Sequence, residues 1–551
     1  MKLYPLLFFG VLLLCLPCRG EAQSVPVGDP VEEYVRFLYL EESPSFNLRP
    51  VSGHKRQGSG SKGQGTRDKV HPWQGVGVLD QSTDRNYGLF TPSIRTTFNS
   101  ELPVGQNDGA LWQGRGVNSA VSLGGFLDYG PLKVSFRPVL TYSQNRDFEL
   151  SPFNTRSDLS EFAPPFARRY DAPQRFGDES ISRLDLGESA IELQYGGVAA
   201  GVSNRNIWVG PAIQNPIQFS NNAPGFLHGF IGTYRPVQTP IGNFEGKILW
   251  GGLHESDYFD DDPSNNMRYI NSLVLNYSPS FIPGLHLGAV RTYQLIYPEA
   301  GLDFSEFFLV AIPFTKDNFV SEDRPSGNDA GYQMLTLLWR WAFPDSGFEI
   351  YGEWGRNDHA RDNRDLSIHL THSRSFVLGG VKRWEFPGNR WLVLNGEWTQ
   401  MSNERGGSSD LRRHGVYYTN NTVIHGFTHR GQLLGSGIAP GSDSQLGKVR
   451  LYDRWGKAGL SINRLNYYPD RLDRYLSEIN SAQEGSYEPH ELYEVEYRFG
   501  LHGLFFLPND LELQADLYQS YFNNRHNIHG NDVTNMNVQV TLRYKLPGFA
   551  R

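Results

Sequence analysis

Cysteine is almost missing from this chain. Its 551 residues hold two, Cys15 and Cys18, and both fall in a segment that reads as a leader. Met1-Lys2 is a short positive start. Tyr4 to Leu16 is an apolar run of secretory length, and Gly20-Glu21-Ala22 sets small residues at −3 and −1 of a cleavage point after Ala22. Residues 1–22 are therefore expected to be removed on export. The remaining chain would have no disulfide, no cysteine metal site and no cysteine nucleophile. Lipidation is not expected, since Leu14 precedes Cys15 and Pro17 precedes Cys18, where a small residue is needed.

Long hydrophobic runs are missing too. After the leader none reaches the length of a membrane helix, and mean hydropathy is −0.46. Positive charge is not in excess: 51 Lys and Arg face 59 Asp and Glu, a formal net charge of −8. That is a poor basis for binding nucleic acid, whose affinity rests on phosphate neutralisation. Enzyme motifs are also lacking. There is no G-x-S-x-G elbow. HELYE, His490 to Glu494, lacks the second histidine of a zinc helix. GSDSQLGK, Gly441 to Lys448, has one residue too many for a phosphate loop. YFDDDPSNN, Tyr258 to Asn266, lacks the spacing and glycine of a calcium loop and reads as a solvated extracellular loop. No catalytic residue, metal site or cofactor is assigned.

Aromatics (13%) and glycine (59 residues) are plentiful, and from about Tyr87 the pattern has period two. In DLELQADLYQ, Leu511, Leu513, Ala515 and Leu517 alternate with Glu512, Gln514, Asp516 and Tyr518. YEVEYRFGL, NVQVTLRYKL, LKVSF and FEIYGEW alternate in the same way. Such strands set one face against something apolar and the other against something polar. An exported chain with strands of 9–11 residues and aromatics near their ends fits an outer-membrane barrel better than a soluble sheet. The expected fold is all-β: a transmembrane antiparallel β-barrel of about 18 strands over residues 86–551. A small N-terminal helical part precedes it in 23–85. A helix is expected over 29–41, capped by Asp29 with Pro30 in its first turn. The Gly/Ser-rich basic stretch 53–69 reads as flexible. Glu349, Glu353, Glu494, Glu496, Arg498, Asp516, Arg543 and Lys545 would point into the lumen together, either as mutual ion pairs or as a charged pore lining.

One segment fits neither helix nor strand: NIWVGPAIQNPIQFSNNAPGF, Asn206 to Phe226. Amides donate and accept at once, which suits vicinal hydroxyls. The same groups suit a self-satisfied plug. Asn204, Trp208, Asn215, Gln218, Ser220, Asn221, Asn222 and His228 are thus candidates for polysaccharide binding or for closing the lumen. The flanking Gly and Pro favour an inward plug for Ser220-Asn221-Asn222. Sugar contacts would then fall on extracellular loops, with Tyr417-Tyr418 one aromatic choice.

The order of these motifs resembles the capsule assembly Wzi family of outer-membrane proteins. The resemblance rests on Trp112-Gln113-Gly114-Arg115-Gly116, Trp208-Val209-Gly210-Pro211, Ser220-Asn221-Asn222-Ala223 and Gly225-Phe226 with His228. It continues through Tyr351-Gly352-Glu353-Trp354-Gly355 and His425 to Ser444, and covers nearly the whole chain. It departs at the extra Val209 and in the long stretch 53–69. It implies an 18-stranded barrel with the small N-terminal helical part on the periplasmic side, an outer-membrane lectin of a Gram-negative bacterium, not an enzyme, attaching or organising capsular or other surface polysaccharide. Its partners would be that glycan and outer-membrane lipid, with no nucleic acid, and it would act as a monomer. The alternative is a diffusion channel for saccharides or anions.

Overall fold

The computed structural model describes residues 27–38, 48–49, 72–73 and 87–544, apart from 154–159, 166–169, 261, 298–301, 303, 312–330, 359–361, 369–371, 404–414 and 484. The leader, the stretch 53–69, Lys545 and the last residues of the expected helix lie outside the described residues.

Alternating strands pair antiparallel into a closed barrel. Among the described residues its wall holds twenty-three strand segments, but five staves (87–99, 116–129, 132–143, 181–195 and 228–239) are each made of two segments, which leaves eighteen. Breaks fall where the sequence interrupts the ladder, as at Thr91-Pro92 and Arg137-Pro138. Closure comes from the last stave, Val533–Tyr544, pairing with Ser93–Asn99 in register Val540↔Thr96. From Gly242 onward the continuous staves run 10 to 14 residues, longer than expected because they continue beyond the apolar belt into the loops.

The two ends differ. At one end the connections are tight, such as Gly196-Gly197 between Tyr195 and Val198, where φ values of 60° and 96° match a two-residue hairpin turn. At the other end the connections are long. In outer-membrane barrels the short turns are periplasmic and the long loops extracellular.

Period two decides the faces. Outward residues such as Leu275, Leu337, Leu460, Leu501 and Leu542 are exposed and apolar. Their inward neighbours are polar yet buried, including Glu349, Glu353, Glu397, Glu496, Arg340 and Asn395. Polar lumen residues are buried because protein fills the lumen.

From the short-turn end comes the helix Pro30–Leu38. Asp29 caps it, accepting from the Val31 N–H at 2.9 Å, while Glu32 reaches back to Gly28 N–H at 2.9 Å. Tyr34 stacks on Trp73 (4.3 Å) and on Trp391 of the wall (5.3 Å). Arg36 donates to Glu349 at 2.8 Å, and Glu349 also accepts from Arg340 at 2.8 Å. Glu33 pairs with Arg450 and, at 3.0 Å, with Lys457.

Candidate functional site

The segment 206–226 descends from the long-loop end, and two lumen carboxylates hold it. Glu397 accepts the backbone N–H groups of Ile213 (2.6 Å), Gln214 (3.1 Å) and Asn215 (2.8 Å). Glu353 accepts those of Ala212 (3.0 Å) and Ile217 (2.8 Å). Irregular backbone at membrane depth needs its N–H groups satisfied by neighbouring protein, and these acids do that. Gly210 sits at φ 103°, and a Cβ there would meet Glu353 Oε1 at 2.2 Å, so the turn before the clasp requires glycine. Phe219 is held at φ 51°, a strained region for an aromatic residue, by packing on Phe226 and Phe427.

The sequence-selected residues divide as follows. Gln218 donates to Thr336 Oγ1 (2.7 Å) and accepts from Thr292 Oγ1 (2.7 Å), tying the loop to the wall. Asn215 Oδ1 accepts from Gln106 (2.6 Å) and Ser436 (3.1 Å). Trp208 Nε1 donates to Ala212 O at 3.1 Å, within the same loop. Ser220 Oγ donates to Gly435 O at 2.6 Å, and Asn222 Nδ2 to Leu433 O at 3.0 Å. Asn204 and His228 sit on the wall, bonded to Asp185 (3.2 Å) and Phe226 O (2.8 Å). Asn221 Nδ2 reaches Val27 O at 3.5 Å, where the loop meets the N-terminal segment. Leu48–Arg49 also pairs with Trp208–Val209 as a two-stranded sheet. Matter entering from the two ends therefore joins inside the lumen. Each of these amides bonds to protein, while Asn215 Nδ2 and Asn221 Oδ1 are buried without a partner. Tyr417 and Tyr418 are not loop-surface residues either. Both are fully buried, and Tyr418 Oη donates to Ile217 O at 2.6 Å.

Among the expected lumen charges, Glu496 binds Arg498 (2.7 Å), Asp516 binds His502 (2.9 Å), and Arg543 binds Glu512 (2.8 Å). Glu494 pairs with Arg525. Glu397 escaped the sequence reading, although a signal existed: Gly352-Glu353-Trp354 recurs as Gly396-Glu397-Trp398.

Open space lies above the plug. A cavity of about 250 Å³ at the long-loop end is lined by Trp112, Tyr170, Tyr467 and Tyr468 beside Gln106, Gln174, Asn222 and Gln432. Arg498 and Arg525 also reach it, each already paired with a glutamate. The lining is thus aromatic and amide-rich, with its charges internally neutralised. Sequence reasoning missed this site because six separate loops build it, and Trp112, Asn222 and Gln432 belong to three motifs far apart in the chain.

Nearby loops bury a second polar cluster. His425 Nε2 makes a short hydrogen bond to Glu255, and Asp171 accepts from Ser256 Oγ at 2.5 Å and its N–H at 2.7 Å. Burial, with Asp260 and Asp171 near, pushes Glu255 up to about 8. Burial, with Arg268 near, pushes His425 down to about 2.

The family model described as capsule assembly protein Wzi matches residues 92–477. The solved structure of Escherichia coli Wzi matches with a TM-score of 0.59 at 11% identity, over 95% of this chain and 100% of that one. That protein is described as an outer membrane protein involved in group 1 capsule assembly and a carbohydrate-binding β-barrel. Acinetobacter baumannii OccAB4 gives a TM-score of 0.42 at 10% identity, covering 85% and 100% of the two chains. Pseudomonas aeruginosa OprD gives 0.38 at 7%, covering 84% and 93%. A search of curated proteins returned no match.

Proposed function

The chain belongs to the Wzi capsule assembly family, as an outer-membrane β-barrel, and from that premise we propose that it is a surface lectin. It attaches or organises exported polysaccharide, carries out no catalysis and acts as a monomer. The observation that carries this reading is the pairing of a filled lumen with an aromatic, amide-lined cavity above it. A diffusion channel needs a continuous polar path, and the two inserted segments occupy it. A saccharide needs flat apolar faces and hydrogen-bonding groups; Trp112 and Tyr468 supply the faces, and Gln432, whose Nε2 donates to Asn222 O while its Oε1 has no partner, supplies an acceptor. The residues 204–228 selected from sequence are read here as the plug that forms the cavity floor, with Asn222 shared between the two.

The test compares a clean deletion strain of the source bacterium with its parent. Polysaccharide retained on washed cells is measured against polysaccharide shed into the medium. Unchanged total polymer that moves to the medium supports the lectin. Unchanged retention with reduced small-solute uptake favours the channel. Trp112→Ala and Tyr468→Ala in the complemented strain, checked for heat-modifiable barrel migration, should each weaken binding of the isolated glycan about tenfold, or about 1.4 kcal/mol.

A further inference from the structure

One patch of the outer wall breaks the rule of the rest. Residues pointing away from the lumen are apolar and exposed almost everywhere, but Asn271, Arg291 and Gln333 also point outward. Register fixes this. Thr336 faces inward to Gln218, so Gln333 and Leu335 of the same stave face out. They pair with Tyr293 and Arg291, and Asn271 pairs with Tyr293. Yet Asn271 is 0% exposed, Gln333 3% and Arg291 7%. Arg291 lies near the middle of its stave, Leu285–Ile296, at a depth where a bare guanidinium against hydrocarbon is costly.

The cover is Phe304–Ala311, part of the long connection between the staves Leu285–Ile296 and Tyr332–Phe343. It lies on the outside of the barrel and its backbone serves the polar patch. Arg291 Nη1 donates to Val310 O (2.7 Å), and Asn271 Oδ1 accepts from Val310 N–H (3.2 Å). Trp250 Nε1 donates to Phe307 O (2.8 Å), and Tyr269 Oη to Glu306 O (3.3 Å). Arg291 is completed within the wall by Gln333 Oε1 (2.8 Å) and Tyr293 Oη (2.9 Å). Leu309 and Val310 pack on Tyr269 and Tyr293. Away from the wall the segment presents Phe304, Phe307 and Phe308, 80%, 36% and 46% exposed.

We propose that Phe304–Ala311 is a lipid-embedded strap on the outer face of the barrel. It seals Arg291 and Asn271 with its own backbone, and Gln333 through Arg291, and offers its phenylalanines to the acyl chains of the membrane. The occupant is lipid because the strap continues the apolar belt around it: Leu275 and Leu337 in the staves it borders are 50% and 47% exposed. A free loop in water would have no reason to present three phenylalanines outward. The strap also makes this sector of the wall thicker than the rest and chemically distinct.

Site-directed spin labelling tests this. Cys15 and Cys18 are the chain's two cysteines; with both replaced by serine, nitroxides go on Phe304→Cys and, separately, Phe308→Cys. Leu460→Cys serves as the lipid reference and Ala482→Cys, exposed on a loop helix, as the water reference. The full chain is reconstituted in vesicles of phosphatidylethanolamine and phosphatidylglycerol, and heat-modifiable migration certifies the fold of each variant. Both strap labels should collide with oxygen more often than with a nickel chelate, as at Leu460. Preferential collision with the nickel chelate, as at Ala482, would place the strap in water and overturn the proposal. Protection from both reagents would overturn it in favour of a second copy seated on the strap.

Discussion

Glu397 concentrates more of the fold than its single carboxylate suggests. It accepts three backbone N–H groups and, at 2.9 Å, the Tyr351 hydroxyl. Removing it leaves those donors buried without a partner, and hydrogen bonds to a charged acceptor contribute about 1.5–3 kcal/mol each before relaxation. Glu397→Ala is expected to destabilise the protein by about 3–5 kcal/mol, read as a lower midpoint in urea-driven unfolding from vesicles. A second residue-scale expectation concerns Glu255 and His425. Glu255 is raised from 4.5 to about 8, so its contribution is complete below pH 4.5 and is lost as pH rises through 8. His425 is lowered from 6.5 to about 2, so its neutral form loses stability as pH falls below 6.5. Between 4.5 and 6.5 the two slopes oppose each other. Above 6.5 the glutamate acts alone, with stability falling until its carboxyl is ionised in both states. Amide exchange in 423–429 should therefore quicken as pH rises from 6.5 to 9, after correction for the intrinsic rate. Glu255→Gln, which keeps the site neutral, should flatten that rise. A single sequence lists such acids but not their partners: Glu353 was legible as inward from its alternation, whereas the backbone amides it holds come from a loop 136 residues away in the chain.

Elements were read well where the pattern is local. Alternation set the correct face for Glu349, Tyr351 and Glu353, and for Lys133 and Ser135, because period two needs only one stave and one apolar environment. The helix was legible from Asp29-Pro30 and its apolar face, and its observed start at Pro30 follows from those caps. Its place inside the barrel mouth was not legible, since that depends on Trp391, Tyr452 and Glu349 far along the chain. Tyr34 carries that docking through three aromatic neighbours, Trp73, Trp391 and Tyr452. Tyr34→Ala removes a large side chain that is fully buried, at a cost of about 3–5 kcal/mol. The expected result is local: proteolysis near residues 27–38 quickens while the wall keeps its heat-modifiable migration. Collapse of the wall itself would mean that the helix is part of the barrel's cooperative unit.

For the whole molecule, what matters is that the lumen is blocked from both ends. The helix and Trp73 fill the short-turn mouth, and 206–226 with its partners at 416–441 fills the region above. Blocks along one path act in series, so opening either one alone leaves the other limiting the current. The native protein in planar bilayers is accordingly expected to be silent. Glu353→Ala with Glu397→Ala frees the upper segment, yet current should stay near baseline because Tyr34 still anchors the lower one. Tyr34→Ala alone should be silent for the converse reason. The triple variant should show discrete openings. Current from the double variant alone would show that the upper loop is the only effective barrier. Current from the native protein would mean that the inserted segments leave a path, and the channel reading would then displace the lectin. The contact between Asn221 and Val27 adds a refinement. If the two plugs support each other there, proteolysis near residues 27–38 should quicken in the Glu353→Ala, Glu397→Ala variant as well, although those substitutions lie in the upper block; unchanged proteolysis there would mean that the lumen filling is two bodies and not one.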